Sequence, residues 1–269
     1  MAQLQLSDAD PVAVQACLDA VAQLPALPDR LERLSAGFLG RPYLSFPLIG
    51  GPDTPEQLVG RLDAFDCVTF AETVLALGWS RVADDYPRIL AAIRYRAGSV
   101  RWMDRNHYMT VWIRRNVRAG FVARVKPDAW VWGADEPRSL SILPRYPAVA
   151  WRPRWFPSDR LDLLATEARA GDVVCFASNK PNLDTYHVGV LIPARPLGAG
   201  IPARPLGAGI PGTDPADPSA GALAVRHASR SKAMVVHQPL SEYLASDDVP
   251  GMLVVRPSPT PPRTPRGAP

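Results

Sequence analysis

The chain has 269 residues, 47% of them hydrophobic and 21% charged, which suits one large or two small globular domains and excludes wholesale disorder. No apolar run reaches the roughly 20 residues that cross a bilayer, and MAQLQLSDADPVAVQACLDA lacks the basic start and apolar block of a secretion signal. The formal net charge of +4 falls to +1 without Arg256, Arg263 and Arg266 of the acid-free last 14 residues, and no aromatic-interleaved basic stripe marks a nucleic-acid partner.

Val14, Cys17, Leu18 and Val21 recur at helical spacing and predict a helix over 8–24 with Ser7 or Asp8 as cap. A second short helix is expected over 28–37, and GRPYLSF (40–46) reads as a loop entering an extended segment. Helical patterns return from Asp66 onward, over 86–96 and over 106–118. The Trp- and Pro-rich stretch 124–168 has weak periodicity and reads as irregular structure with short strands. After Gly171 come strand-like runs, DVVCFA, YHVGVLI, ALAVRHA, AMVVHQ and GMLVVRP, with a short helix at 239–246 between the last two. Helices first and strands last imply an α+β domain whose antiparallel sheet packs on the N-terminal helices.

Two segments stand apart from that pattern. IPARPLGAG occurs twice in tandem, at 192–200 and 201–209, and a Pro/Gly/Asp stretch follows it. This composition cannot bury apolar surface, so 193–221 is expected to be a flexible insertion. The Pro/Arg tail, 257–269, is expected to be disordered, which leaves a single domain over 1–256.

Cys17, Cys67 and Cys175 are odd in number and far apart, without a CxxC or a Cys/His pair at zinc spacing, so neither a disulfide framework nor a metal site is expected. Cys17 lies in an apolar stripe and reads as core. Cys67 is different. With Asp66 as N-cap it opens a helix whose buried face is Cys67, Phe70, Ala71, Val74, Leu75 and Gly78. A thiol there either packs like alanine or reacts, and the positive end of the macrodipole favours its thiolate.

A base would decide between those readings. His187 opens one strand and His227 closes another. If the two strands form a hairpin around the insertion with Ile192 facing Ala222, the imidazoles sit directly opposite on one face, Cβ atoms ~5 Å apart. One ring could then fix the tautomer of the other, as an activated cysteine nucleophile requires. His237 reads as structural.

DCVTFAE, HVGV, the later HAS and the upstream Gly40, Pro42 and Tyr43 resemble the NlpC-type papain-like cell-wall peptidases. IRYRAG, RNHYMTVWIRRN, GDVVCFASNKPNLDTYHVGV and HASRSKAMVV are similar to the branch acting as N-acetylmuramoyl-L-alanine amidases. The resemblance implies a papain-like cysteine hydrolase fold with Cys67 as nucleophile, His187 as base and His227 as orienting third member. It implies a muropeptide substrate, a thioester acyl-enzyme, a monomer and no metal or other cofactor. Tyr43, His107 and Tyr108 are the implied substrate contacts, with helix packing the alternative for the last two. Asp66 and Asp184 adjoin the catalytic positions and either orient substrate or serve as cap and turn residues. A γ-D-glutamyl endopeptidase or a Cys-His acyltransferase on the same fold is the competing reading. Relatives of this branch usually look exported, whereas this chain reads as cytoplasmic as synthesised, with periplasmic action by another route left open.

Overall fold

The computed structural model describes residues 6–7, 10–125, 131–132, 137–152, 154–193, 223–246 and 248–262. The tandem repeat after Pro193 and the rest of the expected insertion lie outside them.

The N-terminal half is helical. A two-residue strand, β1 (Leu6–Ser7), pairs in parallel with β2 (Leu58–Val59), and between them lie α1 (Pro11–Asp19) and α2 (Leu27–Gly37). The first helix is shorter than its apolar pattern suggests, because Asp10 caps it: the carboxylate accepts from the Val12 N–H, and Pro11 occupies the first helical position. Next come α3 (Cys67–Trp79), α4 (Asp85–Arg94) and α5 (Met109–Ala119). The α5 helix begins later than the expected 106, which leaves His107 in the preceding loop and Tyr108 as N-cap.

Helix α3 is central, with every residue from Thr69 to Trp79 buried. Asp66 and Thr69 form a capping box, the carboxylate accepting from the Thr69 N–H at 2.8 Å and the Thr69 hydroxyl from the Asp66 N–H at 3.0 Å. At the far end Arg30 of α2 donates to the Gly78 and Ser80 carbonyls at 2.8 Å each and to the Val21 carbonyl at 3.0 Å. Gly78 lets the two helices approach: a Cβ there would lie 2.4 Å from Leu31 Cδ2. Across the helical layer the buried Glu72 carboxylate accepts from Arg94 Nε at 2.6 Å and from the Trp112 indole at 3.0 Å, tying α3, α4 and α5 together.

Short strands β3 (Val122–Arg124), β4 (Val131–Trp132), β5 (Arg138–Leu140), β6 (Val149–Trp151) and β7 (Arg154–Pro157) cross the middle of the chain. Helix α6 (Leu161–Glu167), which weak periodicity concealed, follows them. The C-terminal half supplies β8 (Val173–Ala177), β9 (Thr185–Pro193), β10 (Leu223–Ser229), β11 (Met234–Pro239), α7 (Leu240–Ser246) and β12 (Gly251–Pro257). The main sheet runs β11-β10-β9-β8-β12-β7-β4, with β3 also on β12, and its pairings among the described residues are antiparallel. The mixed α+β class with an antiparallel sheet is therefore as expected.

The two faces of the sheet bury different clusters. Cys175, Val188, Val190 and Ala228 meet the helices, while Phe176, Leu191 and Val225 pack against Leu240 and Tyr243 of α7. Pro257 and Ser258, at the start of the expected tail, are held by the fold. Pro257 still pairs with Val122, and Ser258 donates its N–H to the Phe121 carbonyl while its own carbonyl accepts from the Trp79 indole.

Candidate active site

Asp66 fixes Cys67 as the first residue of α3, at the edge of the core. The thiol is held by the backbone N–H of Val188, the neighbour of His187 on β9, and by those of Cys67 and Val68. Burial, and then the adjacent Asp66 charge, push its pKa up to about 12 against those donors. Here the outcome departs from the helix-dipole expectation: desolvation outweighs the macrodipole, and the resting group is a thiol.

The hairpin register also differs from the one supposed. Ala224, not Ala222, faces Ile192, and Arg226 faces Val190. A two-residue slip preserves the face of every side chain, so the rings still meet, now diagonally across Gly189. His187 Nε2 lies 2.6 Å from His227 Nδ1, with the rings nearly perpendicular and their centroids 4.6 Å apart. Gly189 makes room for this contact, since a Cβ there would sit 2.4 Å from Val225 Cγ2 and 3.3 Å from His227 Cβ. Burial pulls the His187 pKa down to about 3, with His227 adding to the effect, and pulls His227 down to about 4 against a hydrogen bond that His227 donates to the Gln238 side chain. Both imidazoles are neutral at rest.

By strand alternation the rings stand on the α7 face, while Val188 and Val190 face the helices. The sulfur sits at a backbone N–H, which lies in the plane of the strand, one residue from His187. Among the described residues no hydrogen bond runs from the sulfur to an imidazole nitrogen. The α3 thiol thus meets β9 at the residue after His187, and thiol and ring pair are both neutral.

Tyr43 bridges to Phe65 and donates its N–H to the Ala233 carbonyl at 2.9 Å. Burial, then the charges of Cys67 and Asp66, push its phenol pKa up. His107 and Tyr108 belong to another cluster. His107 Nε2 meets the Trp102 carbonyl at 2.8 Å, and its ring packs edge-on against Trp102 and Tyr146 at 4.1 and 4.7 Å. Burial pulls its pKa down to about 4. Tyr108 is buried against Tyr146.

Asp184 accepts from the Thr110 N–H at 2.6 Å and the Thr185 N–H at 2.8 Å, so it joins the start of α5 to the β8–β9 turn. Both acidic candidates therefore hold backbone in place. Buried Cys175 stands between the two clusters, its thiol pKa pushed up by burial and then by Asp184 and Cys67. Sequence reasoning missed Phe176, which faces His187 in register, and Tyr243, which stacks on it; neither carries a motif. No group of three or more His, Cys, Asp or Glu side chains is placed to hold a metal ion among the described residues.

A family model described as AmiA-like, N-acetylmuramoyl-L-alanine amidase-like, matches residues 33–196, more than half of the chain. The chain belongs to this family. It is similar to an N-acetylmuramoyl-L-alanine amidase crystal structure from Bacteroides uniformis, with 26% identity, a TM-score of 0.58, and 84% of this chain and 97% of that one covered. A second crystal structure so titled from the same organism gives 24% identity and a TM-score of 0.59 over 84% of this chain and 98% of that one. The Legionella pneumophila protein LPG0564 shares the fold at 18% identity, with a TM-score of 0.71 over 94% of this chain and 95% of that one. No curated protein matches the sequence. Membership supports a peptidoglycan amidase in general terms, and no described helix is long and apolar enough to cross a membrane.

Proposed function

We propose that this protein is a cysteine amidase of NlpC-type, papain-like design that hydrolyses the bond between N-acetylmuramic acid and L-alanine in peptidoglycan fragments. The observation that carries the reading is the His187–His227 contact beside a thiol held on the next backbone N–H of the same strand. His187 takes the Cys67 proton as the sulfur attacks the lactyl carbonyl carbon. His227 holds the His187 ring in one tautomer. The amide N–H of Cys67, without an intrahelical acceptor at the helix start, faces the developing oxyanion. His187 then returns the proton to the alanine nitrogen, the C–N bond breaks, and a thioester remains on Cys67. Water, deprotonated by His187, opens the thioester and regenerates the thiol.

Because thiol and imidazole both start neutral, the Cys67 proton moves to His187 only as the carbon–sulfur bond forms. Tyr43 contacts the substrate at the scissile bond; His107 and Tyr108 contact it on the α5 side. Asp66 and Asp184 act by holding α3 and the α5–β9 junction. Digestion of purified muropeptides followed by mass spectrometry tests the reading: free glycan and intact stem peptides are the expected products. Cleavage inside the stem peptide would replace it with an endopeptidase, and transfer of the acyl group to an added amine with an acyltransferase.

A further inference from the structure

On the catalytic reading above, we propose that Tyr243 of α7 is a positioning residue for the imidazole pair, holding both ring planes so that the nitrogen of His187 not engaged by His227 is presented to the thiol. Three contacts converge. The Tyr243 ring lies stacked on His187 at 5.6 Å and 24°, stands edge-on to His227 at 5.2 Å and 75°, and packs on Phe176 at 4.3 Å. Phe176 stacks on His187 in turn at 6.0 Å and 26°.

An imidazole on a strand has two soft torsions, and one hydrogen bond to a second imidazole leaves that second ring equally free to turn. Aromatic walls on His187 and His227 remove this freedom, because rotation of either ring would drive it into Tyr243. Tyr243 is itself buried, and its hydroxyl lies 3.5 Å from the Tyr186 hydroxyl. The ring, not the hydroxyl, is the working part. His227 is buried and His187 half-buried, and polar neighbours of the pair include Tyr186 on the same strand and Gln238 on β11.

The test compares Tyr243→Phe and Tyr243→Leu with His187→Ala in muropeptide hydrolysis, measuring kcat, KM and the pH profile. Tyr243→Phe should match the natural protein. Tyr243→Leu should lose roughly ten- to a hundred-fold in kcat with KM unchanged. Its acid limb should move up toward the ordinary histidine range near pH 6.5, because water then reaches the rings. A folded Tyr243→Leu protein with natural kcat and an unmoved acid limb would overturn the inference, provided His187→Ala is inactive. Natural activity in His187→Ala would instead sink the catalytic reading itself.

If Tyr243→Leu does not fold, imidazole ¹⁵N shifts of the natural protein decide the matter, with only four histidines to assign. Two rings still neutral at pH 5 support the wall, and two titrating near pH 6.5 contradict it.

Discussion

Replacing Arg94 with leucine isolates the interaction that holds the nucleophile helix in the helical layer. The Arg94 and Glu72 side chains are only 2% and 4% exposed, and Arg94 also donates to the Val59 carbonyl. Its loss leaves the Glu72 carboxylate buried with the Trp112 indole as its remaining donor among the described residues. Breaking a buried pair from one side costs about 3–5 kcal/mol, whereas replacing both partners with apolar groups is often neutral. At about 2–4 °C per kcal/mol for a chain of this size, Arg94→Leu should melt roughly 6–20 °C below the natural protein at pH 7. Burial already holds the Glu72 pKa above the ordinary carboxylate value, and losing Arg94 raises it further. A carboxyl raised in the folded state destabilises as pH climbs above its unfolded value, so the deficit should shrink as pH falls toward about 4. Thermal melts from pH 4 to pH 8, read by near-UV circular dichroism, check both the size and the sign. A deficit below about 1 kcal/mol at pH 7, or one that grows on acidification, would refute the reasoning.

Asp66→Asn keeps the cap acceptor and removes the charge that helps raise the Cys67 pKa, so stability should change by less than about 0.5 kcal/mol while iodoacetamide labels Cys67 faster at pH 8. Gly189→Ala puts a methyl 2.4 Å from Val225 Cγ2 and 3.0 Å from the Arg226 carbonyl oxygen, and should cost about 1–3 kcal/mol in urea unfolding while spreading β9 from β10. His187 and His227 are held neutral in the fold but protonate freely once unfolded. Their folded pKa values are depressed, so stability is lost as pH falls below about 6.5, by up to ~1.4 kcal/mol per pH unit for each ring. The slope between pH 6.5 and 5 should flatten in His187→Gln, and an unchanged slope would contradict the assignment.

Much of the site could be read from local pattern because strand periodicity is strict. With a side-chain period of two, His187 and His227 share a face in any register displaced by an even number, so pairing Ile192 with Ala222 rather than Ala224 moved the contact without removing it. Cys67 as first helical residue was equally legible, since Asp66 and Thr69 form a local capping box. The start of α5 was not. The Thr110 N–H in its first turn is met by Asp184, 74 residues away, and no window around RNHYM contains that information. Arg30 on the α3 carbonyls, the Glu72–Arg94–Trp112 link and Tyr243 over the imidazoles are long-range contacts of the same kind. The charge state of the thiol followed from burial, which only the assembled core determines.

Acid-quenched mass mapping during turnover of a muropeptide tests the central claim most directly. A muramoyl adduct confined to the peptide containing Cys67, abolished by Cys67→Ala and strongly reduced by His187→Ala, is the predicted result. Full amide hydrolysis by the Cys67→Ala protein, or an adduct on any other side chain, would contradict it.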